Sequence, residues 1–213
     1  MDYYPIYLNL QNRLVVVIGG GKVAEGKVEG LLATAARVRV VSPALTPALE
    51  QLVGDQRVEH LARAYRPGDL AEAFLAISAT DDSAVNEKVW LEANARNVLL
   101  NVVDDTPHCN FIAPAILRQG DLAVAISTSG KAPALAVRLR EQIEPLVGPE
   151  HARFLELAGS LRERLADQIP SFAERRALWY QLVDSDVLDL LRRGDEAAAQ
   201  ARMTEIMGVA PEG

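Results

Sequence analysis

Two adjacent carboxylates, Asp104 and Asp105, close the apolar run Asn101-Val102-Val103-Asp104-Asp105. In an open α/β sheet ligands bind outside the carboxyl ends of the strands, so a strand-terminal carboxylate is a candidate general acid or base. In a continuing strand only one of the two can face a site, and both as solvated loop groups is the bland alternative. Upstream, Gly19-Gly20-Gly21-Lys22-Val23-Ala24 has the form Gly-x-Gly-x-x-Ala. The first glycine permits a tight turn and the second admits a pyrophosphate close to the backbone. The small third residue lets helix pack on strand. The helix start supplies N–H donors and partial positive charge, so a dinucleotide at the same edge is expected. The usual acidic residue for the ribose is missing where the second strand ends Val41-Ser42-Pro43, leaving backbone and Ser42 contacts as the expected arrangement. Arg37 and Arg39 are close in sequence but form no obvious 2′-phosphate clamp.

A third candidate is Ser127-Thr128-Ser129-Gly130-Lys131-Ala132-Pro133, where small hydroxyl residues, a glycine and a lysine precede a proline suited to a first helical turn. It reads either as an anion-binding helix start or as a simple capping loop. Arg138 and Arg140 follow and could draw ligand carboxylates or merely solvate the helix. His108-Cys109 suggests a metal pair, but adjacent ligands on an extended chain point apart and no Cys-x-x-Cys or His-x-x-x-His partner exists, which argues against a structural zinc site. His60 and His151 read as ordinary surface or boundary residues.

The elements that must position these groups alternate. Strand-like runs at residues 14–18, 38–42, 57–61, 74–79 and 98–103 are separated by helical patterns at 22–33, 45–53 and 83–94. That alternation predicts parallel βαβ units with right-handed crossovers, an α/β class with a Rossmann-like sheet. Beyond Asp105, apolar runs at 111–117 and 122–127 flank Gln119-Gly120-Asp121 and predict an antiparallel hairpin, with Pro114 at an edge or bend. An exposed apolar hairpin invites pairing with another chain, so residues 111–148 are expected to form a dimerisation segment. In the last third, Phe154, Leu157, Ala158, Leu161, Leu165 and Ile169 share one helix face. Pro170-Ser171 and Gly194-Asp195 break that helical domain. The expected organisation is 1–110, 111–148 and 149–213.

Half of the 213 residues are apolar (49%) and 24% are charged, so a core can form. A net charge of −7 argues against nucleic acid as the main partner. The single Cys109 excludes an intrachain disulfide and fits a reducing compartment. No signal-peptide pattern opens the chain, and no apolar run approaches the ~20 residues of a membrane span. A soluble cytoplasmic protein without a membrane role is expected.

Four motifs in series resemble the siroheme synthase family, in its precorrin-2 dehydrogenase / sirohydrochlorin ferrochelatase domain. They are the 17–27 segment, Ala79-Thr80-Asp81-Asp82-Ser83-Ala84-Val85-Asn86, the 101–105 segment with Cys109-x-Phe111, and Ile126 with the 127–133 turn. Order and spacing agree over residues 5–148. The resemblance implies NAD-dependent oxidation of precorrin-2 to sirohydrochlorin and, in bifunctional members, ferrous iron as a further substrate to give siroheme. It implies a homodimer whose middle segment dimerises and whose helical domain helps cover the substrate cleft. It assigns the catalytic aspartate to Asp104, a proton acceptor in dehydrogenation and metalation that holds the incoming metal only transiently.

Cofactor contacts are then expected at Gly19, Gly21, Lys22 and Val23, at Ser42 and Pro43, and at Thr80 and Asp81. The anionic tetrapyrrole is expected at Ser127, Thr128, Ser129, Gly130, Lys131 and Arg138. Ala35 stands where the family commonly has glycine, at a cost of roughly 1 kcal/mol in a left-handed position, which leaves room for a different local turn. No methyltransferase segment follows, so a stand-alone chain is expected, with methylation left to another protein. Two alternatives stand beside this reading: a dehydrogenase without chelatase activity, and an NAD-sensing regulatory module. The second would leave the 101–105 terminus, the 127–133 turn and the helical cap unexplained.

Overall fold

A computed structural model describes residues 3–211. The chain divides into two compact units, one ending at Ala113 and the other beginning at Pro114. The first boundary lies three residues from the expected one, and segments 111–148 and 149–213 lie almost wholly in the second unit.

The first unit is built on strands β1 (Leu14–Ile18), β2 (Arg37–Val41), β3 (Val58–Leu61), β4 (Leu75–Ser78) and β5 (Leu99–Val102), all parallel. Among the described residues they form a five-stranded sheet in the order β3-β2-β1-β4-β5. Helices α1 (Lys22–Leu32), α2 (Pro47–Gly54) and α3 (Ser83–Arg96) make the crossovers. Every residue of β1 is buried because both sheet faces are covered. Successive side chains alternate: Val15 and Val17 join the core under α1 and α2, while Leu14, Val16 and Ile18 join the core under α3. Each such side chain contributes about 1.5–3 kcal/mol of burial, so β1 is the anchor from which the glycine turn departs.

The strand order reverses between β1 and β4, the place where a doubly wound sheet opens a crevice at its carboxyl edge. Ala35 takes φ +54, and its carbonyl accepts from Asn12 N–H at 2.9 Å. The turn after α1 is therefore left-handed at Ala35, the conformation in which an alanine is strained.

The second unit opens with the antiparallel pair β6 (Ala115–Gln119) and β7 (Leu122–Ile126). The first of these starts later than expected, because residues 109–111 are bound along the edge of β5. Helices α4 (Pro133–Ile143), α5 (Pro149–Gln168), α6 (Phe172–Val183), α7 (Val187–Arg192) and α8 (Glu196–Met207) follow. The α5 stripe of Phe154, Leu157, Ala158, Leu161 and Leu165 is buried against Leu182, Val187, Ala199 and Met203. Ser171 and Asp195 cap α6 and α8 with their side chains, at the breaks the sequence marks. No described helix is long and apolar enough to cross a membrane.

Candidate functional site

Gly19 leaves β1 at φ +113, and a Cβ there would stand 2.4 Å from the Ala79 carbonyl oxygen. Backbone bonds from Gly19 N–H to Val41 O (3.0 Å) and from Ala79 N–H to Ile18 O (2.7 Å) tie the turn between β2 and β4. Gly21 differs: a Cβ on it would meet nothing within 4 Å. It is the N-cap of α1 and makes no side-chain cap bond. An open approach to the backbone and an uncapped helix start together suit a pyrophosphate. Lys22 and Val23 in the first turn are exposed, as contacts to such a group require.

Lys22 is ion-paired with Glu25, which is buried. The Glu25 carboxylate also accepts from Thr46 Oγ at 2.7 Å, while Thr46 N–H donates to Gly20 O at 3.0 Å. The bonds from Lys22 and then Thr46 hold the Glu25 carboxyl below its ordinary value. Glu25 thus braces the glycine turn from behind. It is one charge inside an ordinary helical pattern, so nothing in the sequence singles it out.

Ser42 and Thr80 lie on the same sheet edge. Ser42 is buried, and its hydroxyl donates to Ala44 O at 2.7 Å, so in this conformation the ribose side is offered backbone and exposed Pro43 rather than a free hydroxyl. Thr80 is half-buried and Asp81 exposed. Their loop is fixed from below: Ser78 Oγ donates to Asn86 Oδ1 at 2.6 Å, and Asn86 Nδ2 donates to Thr80 O at 3.2 Å. Asp82 caps α3 by accepting from Ala84 and Val85 N–H at 2.9 and 3.1 Å. An aspartate just before a helix start is the signal that could have marked this role.

Asp104 is exposed and adopts φ +60, an uncommon conformation for a residue with a side chain and one that Asp tolerates better than most. Asp105 N–H closes the turn onto Val102 O at 3.2 Å. The two carboxylates are thereby separated. Asp105 accepts from His108 Nδ1 at 2.6 Å, while the other His108 nitrogen lies 3.4 Å from Glu87 and its ring meets Trp90 edge-on. Asp105 is committed to a local partner, leaving Asp104 as the carboxylate presented at the strand end.

The sheet edge thus brings together the glycine turn, Ser42-Pro43, Thr80-Asp81 and Asp104. The 127–133 turn belongs to the second unit. There Ser129 and Gly130 are left-handed in succession, Ser127 Oγ accepts from Ser129 N–H at 3.0 Å, and Thr128 Oγ accepts from Ala132 N–H at 3.2 Å. Lys131 is exposed. Arg138 and Arg140 pair along α4 with Glu141 (2.7 Å) and Glu144 (3.4 Å), each through one guanidinium nitrogen. Chemically, the carboxyl edge offers a dinucleotide cradle with one exposed carboxylate on the second strand across from the turn.

Three family models match in series. Putative NAD(P)-binding covers residues 6–115, sirohaem biosynthesis protein central 119–145, and the sirohaem synthase dimerisation region 150–207. Siroheme synthase of Photobacterium profundum is 42% identical over 214 residues, covering 100% of this chain and 46% of that protein. Siroheme synthase 1 of Serratia proteamaculans is 42% identical over 205 residues, covering 96% of this chain and 43% of that protein. The chain therefore spans about half the length of the curated relatives it matches. A solved structure described as SirC, precorrin-2 dehydrogenase, shares the fold with TM-score 0.77 and 24% identity, over 95% of this chain and 100% of that one.

Proposed function

The chain belongs to the siroheme synthase family, and on that premise we propose that it oxidises precorrin-2 to sirohydrochlorin with NAD and then inserts ferrous iron to give siroheme. The observation that carries this reading is the exposed Asp104, held left-handed at the end of β5, on the sheet edge that also holds the open Gly21 turn.

Bound NAD supplies the hydride acceptor. Gly21, Lys22 and Val23 would hold its pyrophosphate on the turn that Gly19 shapes, Ser42 and Pro43 would border the ribose, and Thr80 and Asp81 would line the neighbouring loop. Loss of hydride from the reduced macrocycle leaves a proton to be removed, and Asp104 accepts it. In metalation two pyrrole N–H protons leave as Fe2+ enters; the same exposed carboxylate would take them one at a time, passing each to solvent, and would briefly steady the cation while ionised. Within the second unit, exposed Lys131, the 127–130 hydroxyl and amide groups and the exposed Arg138 are of the right chemistry for the carboxylates of such a substrate.

The working unit is a homodimer. Support comes from the dimerisation-region match, which falls on residues 150–207, where Phe172, Tyr180 and Val183 are exposed. That is not the expected segment 111–148, whose exposed apolar side chains Ile116, Leu135, Val137, Leu139 and Leu146 lie outside the match. The place of action is the cytosol, where a reduced Cys109 is the norm.

The test is anaerobic incubation with precorrin-2 and NAD, then with ferrous or cobaltous ion, followed by absorbance. A sirohydrochlorin spectrum that changes again on adding metal, faster than without protein, is expected. No NAD-dependent change would sink the proposal. A reaction that stops at sirohydrochlorin would leave a dehydrogenase alone, and sedimentation as a monomer at micromolar concentration would remove the dimer.

A further inference from the structure

β5 is an edge strand, so its outward N–H and C=O groups have no neighbouring strand. After Asp105 the chain makes a 3-10 turn, Thr106–His108, and folds back along that edge. Side chains replace the missing ladder. Asn110 Oδ1 accepts from Leu100 N–H at 2.7 Å, Asn110 Nδ2 donates to Val98 O at 3.2 Å, and Asn110 N–H donates to Leu100 O at 3.0 Å. One step further, the Cys109 sulfur accepts from Val102 N–H at 3.1 Å and lies 3.2 Å from both Val102 O and Asp105 O. Asn101 Nδ2 approaches the same sulfur at 3.5 Å.

Val102 and Asp105 are the two ends of the turn whose third residue is Asp104. A left-handed residue with a side chain persists only where its surroundings over-determine it, and the thiol grips both ends of this turn. We propose that Cys109 is a positioning residue for Asp104, its thiol setting the left-handed turn that aims the carboxylate. The inference rests on the reading of Asp104 as the reacting carboxylate. Burial, the largest influence, raises the thiol pKa and keeps its single S–H proton, which the two carbonyls share.

The experiment compares Cys109→Ala and Cys109→Ser with the wild-type chain in three measurements: precorrin-2 oxidation with separate kcat and KM, NAD affinity by titration, and amide hydrogen exchange at Asp105. Serine keeps both a donor and an acceptor; alanine keeps neither. A loss of about 10- to 100-fold in kcat is expected for Cys109→Ala, as for misplacement of a reacting group by about 1 Å. NAD affinity should stay within about twofold and Asp105 exchange should quicken, while Cys109→Ser restores most of kcat. Unchanged kcat in the alanine variant, equal losses in alanine and serine, or NAD affinity falling in step with kcat would each overturn the proposal. Should the alanine variant not fold, Cys109→Val removes the same bonds while retaining apolar volume. If the wild-type chain does not oxidise precorrin-2, it is the proposed function that falls. Exchange at Asp105 then judges the thiol alone, and equal rates with and without it would refute the clamp.

Discussion

Ala79 and Gly19 meet across the β1–β4 crevice so closely that a Cβ on Gly19 would stand 2.4 Å from the Ala79 carbonyl oxygen. Gly21, two residues on, faces open space, so the fold demands the first glycine of the motif and makes no such demand on the second.

These two glycines should separate stability from binding. Gly19→Ala combines a backbone clash with a positive φ and is expected to cost about 2–4 kcal/mol, lowering the urea midpoint along with NAD binding. Gly21→Ala loses only an N-cap preference, about 1 kcal/mol or less, yet places a methyl where the pyrophosphate approaches. A folded Gly21→Ala chain with NAD affinity reduced at least about tenfold is the expected result. Equal NAD affinity in that variant would show that the dinucleotide does not lie over Gly21.

Ala35 offers a stabilising change remote from the carboxyl edge. At φ +54 an alanine is strained, and Ala35→Gly should raise stability by about 1 kcal/mol with catalysis unchanged. The measurement is the urea midpoint at constant m-value. A midpoint that falls would mean that the entropy of the more flexible unfolded chain outweighs the relief of strain.

The brace behind the glycine turn predicts a pH dependence. Glu25 has its carboxyl lowered from 4.5 by Lys22 first and Thr46 second. A depressed carboxylate stabilises the fold above its unfolded value, and that contribution is lost as pH falls through the lower folded value. Glu25→Gln should therefore be less stable than wild type at neutral pH, with the difference narrowing as pH drops below about 4.5. A difference that widens toward acid would refute the assignment.

What the sequence made legible follows the same physics. The run 14–18 became β1 residue for residue because a short, β-branched apolar run ended by glycines fits a strand covered on both faces. The α5 stripe was readable from its spacing, since it packs within its own unit. The roles of Cys109 and Asn110 were not readable, because side chains standing in for a strand leave no period. Nor did composition show that Ser42 turns its hydroxyl to Ala44, or that Arg138 is held by Glu141, since both depend on which partner is nearest in the folded chain. Position alone left Asp104 and Asp105 as equals; the bond from His108 to Asp105 and the φ of Asp104 distinguish them.

That distinction yields the sharpest prediction. Asparagine tolerates the left-handed region as well as aspartate does, so Asp104→Asn should fold with wild-type stability and bind NAD normally. It cannot accept a proton, and turnover should fall about 100- to 10,000-fold, the usual weight of a general base. Asp104→Gly removes strain as well as the carboxylate, and is expected to be about 1 kcal/mol more stable than wild type while equally inactive. Asp105→Asn loses its charged bond to His108 but leaves Asp104 in place, so most activity should survive. Steady-state oxidation of precorrin-2, paired with urea melts of the same samples, checks all three variants. Full activity in Asp104→Asn, or an inactive Asp105→Asn that still folds and binds NAD, would move the chemistry from the strained residue to its neighbour.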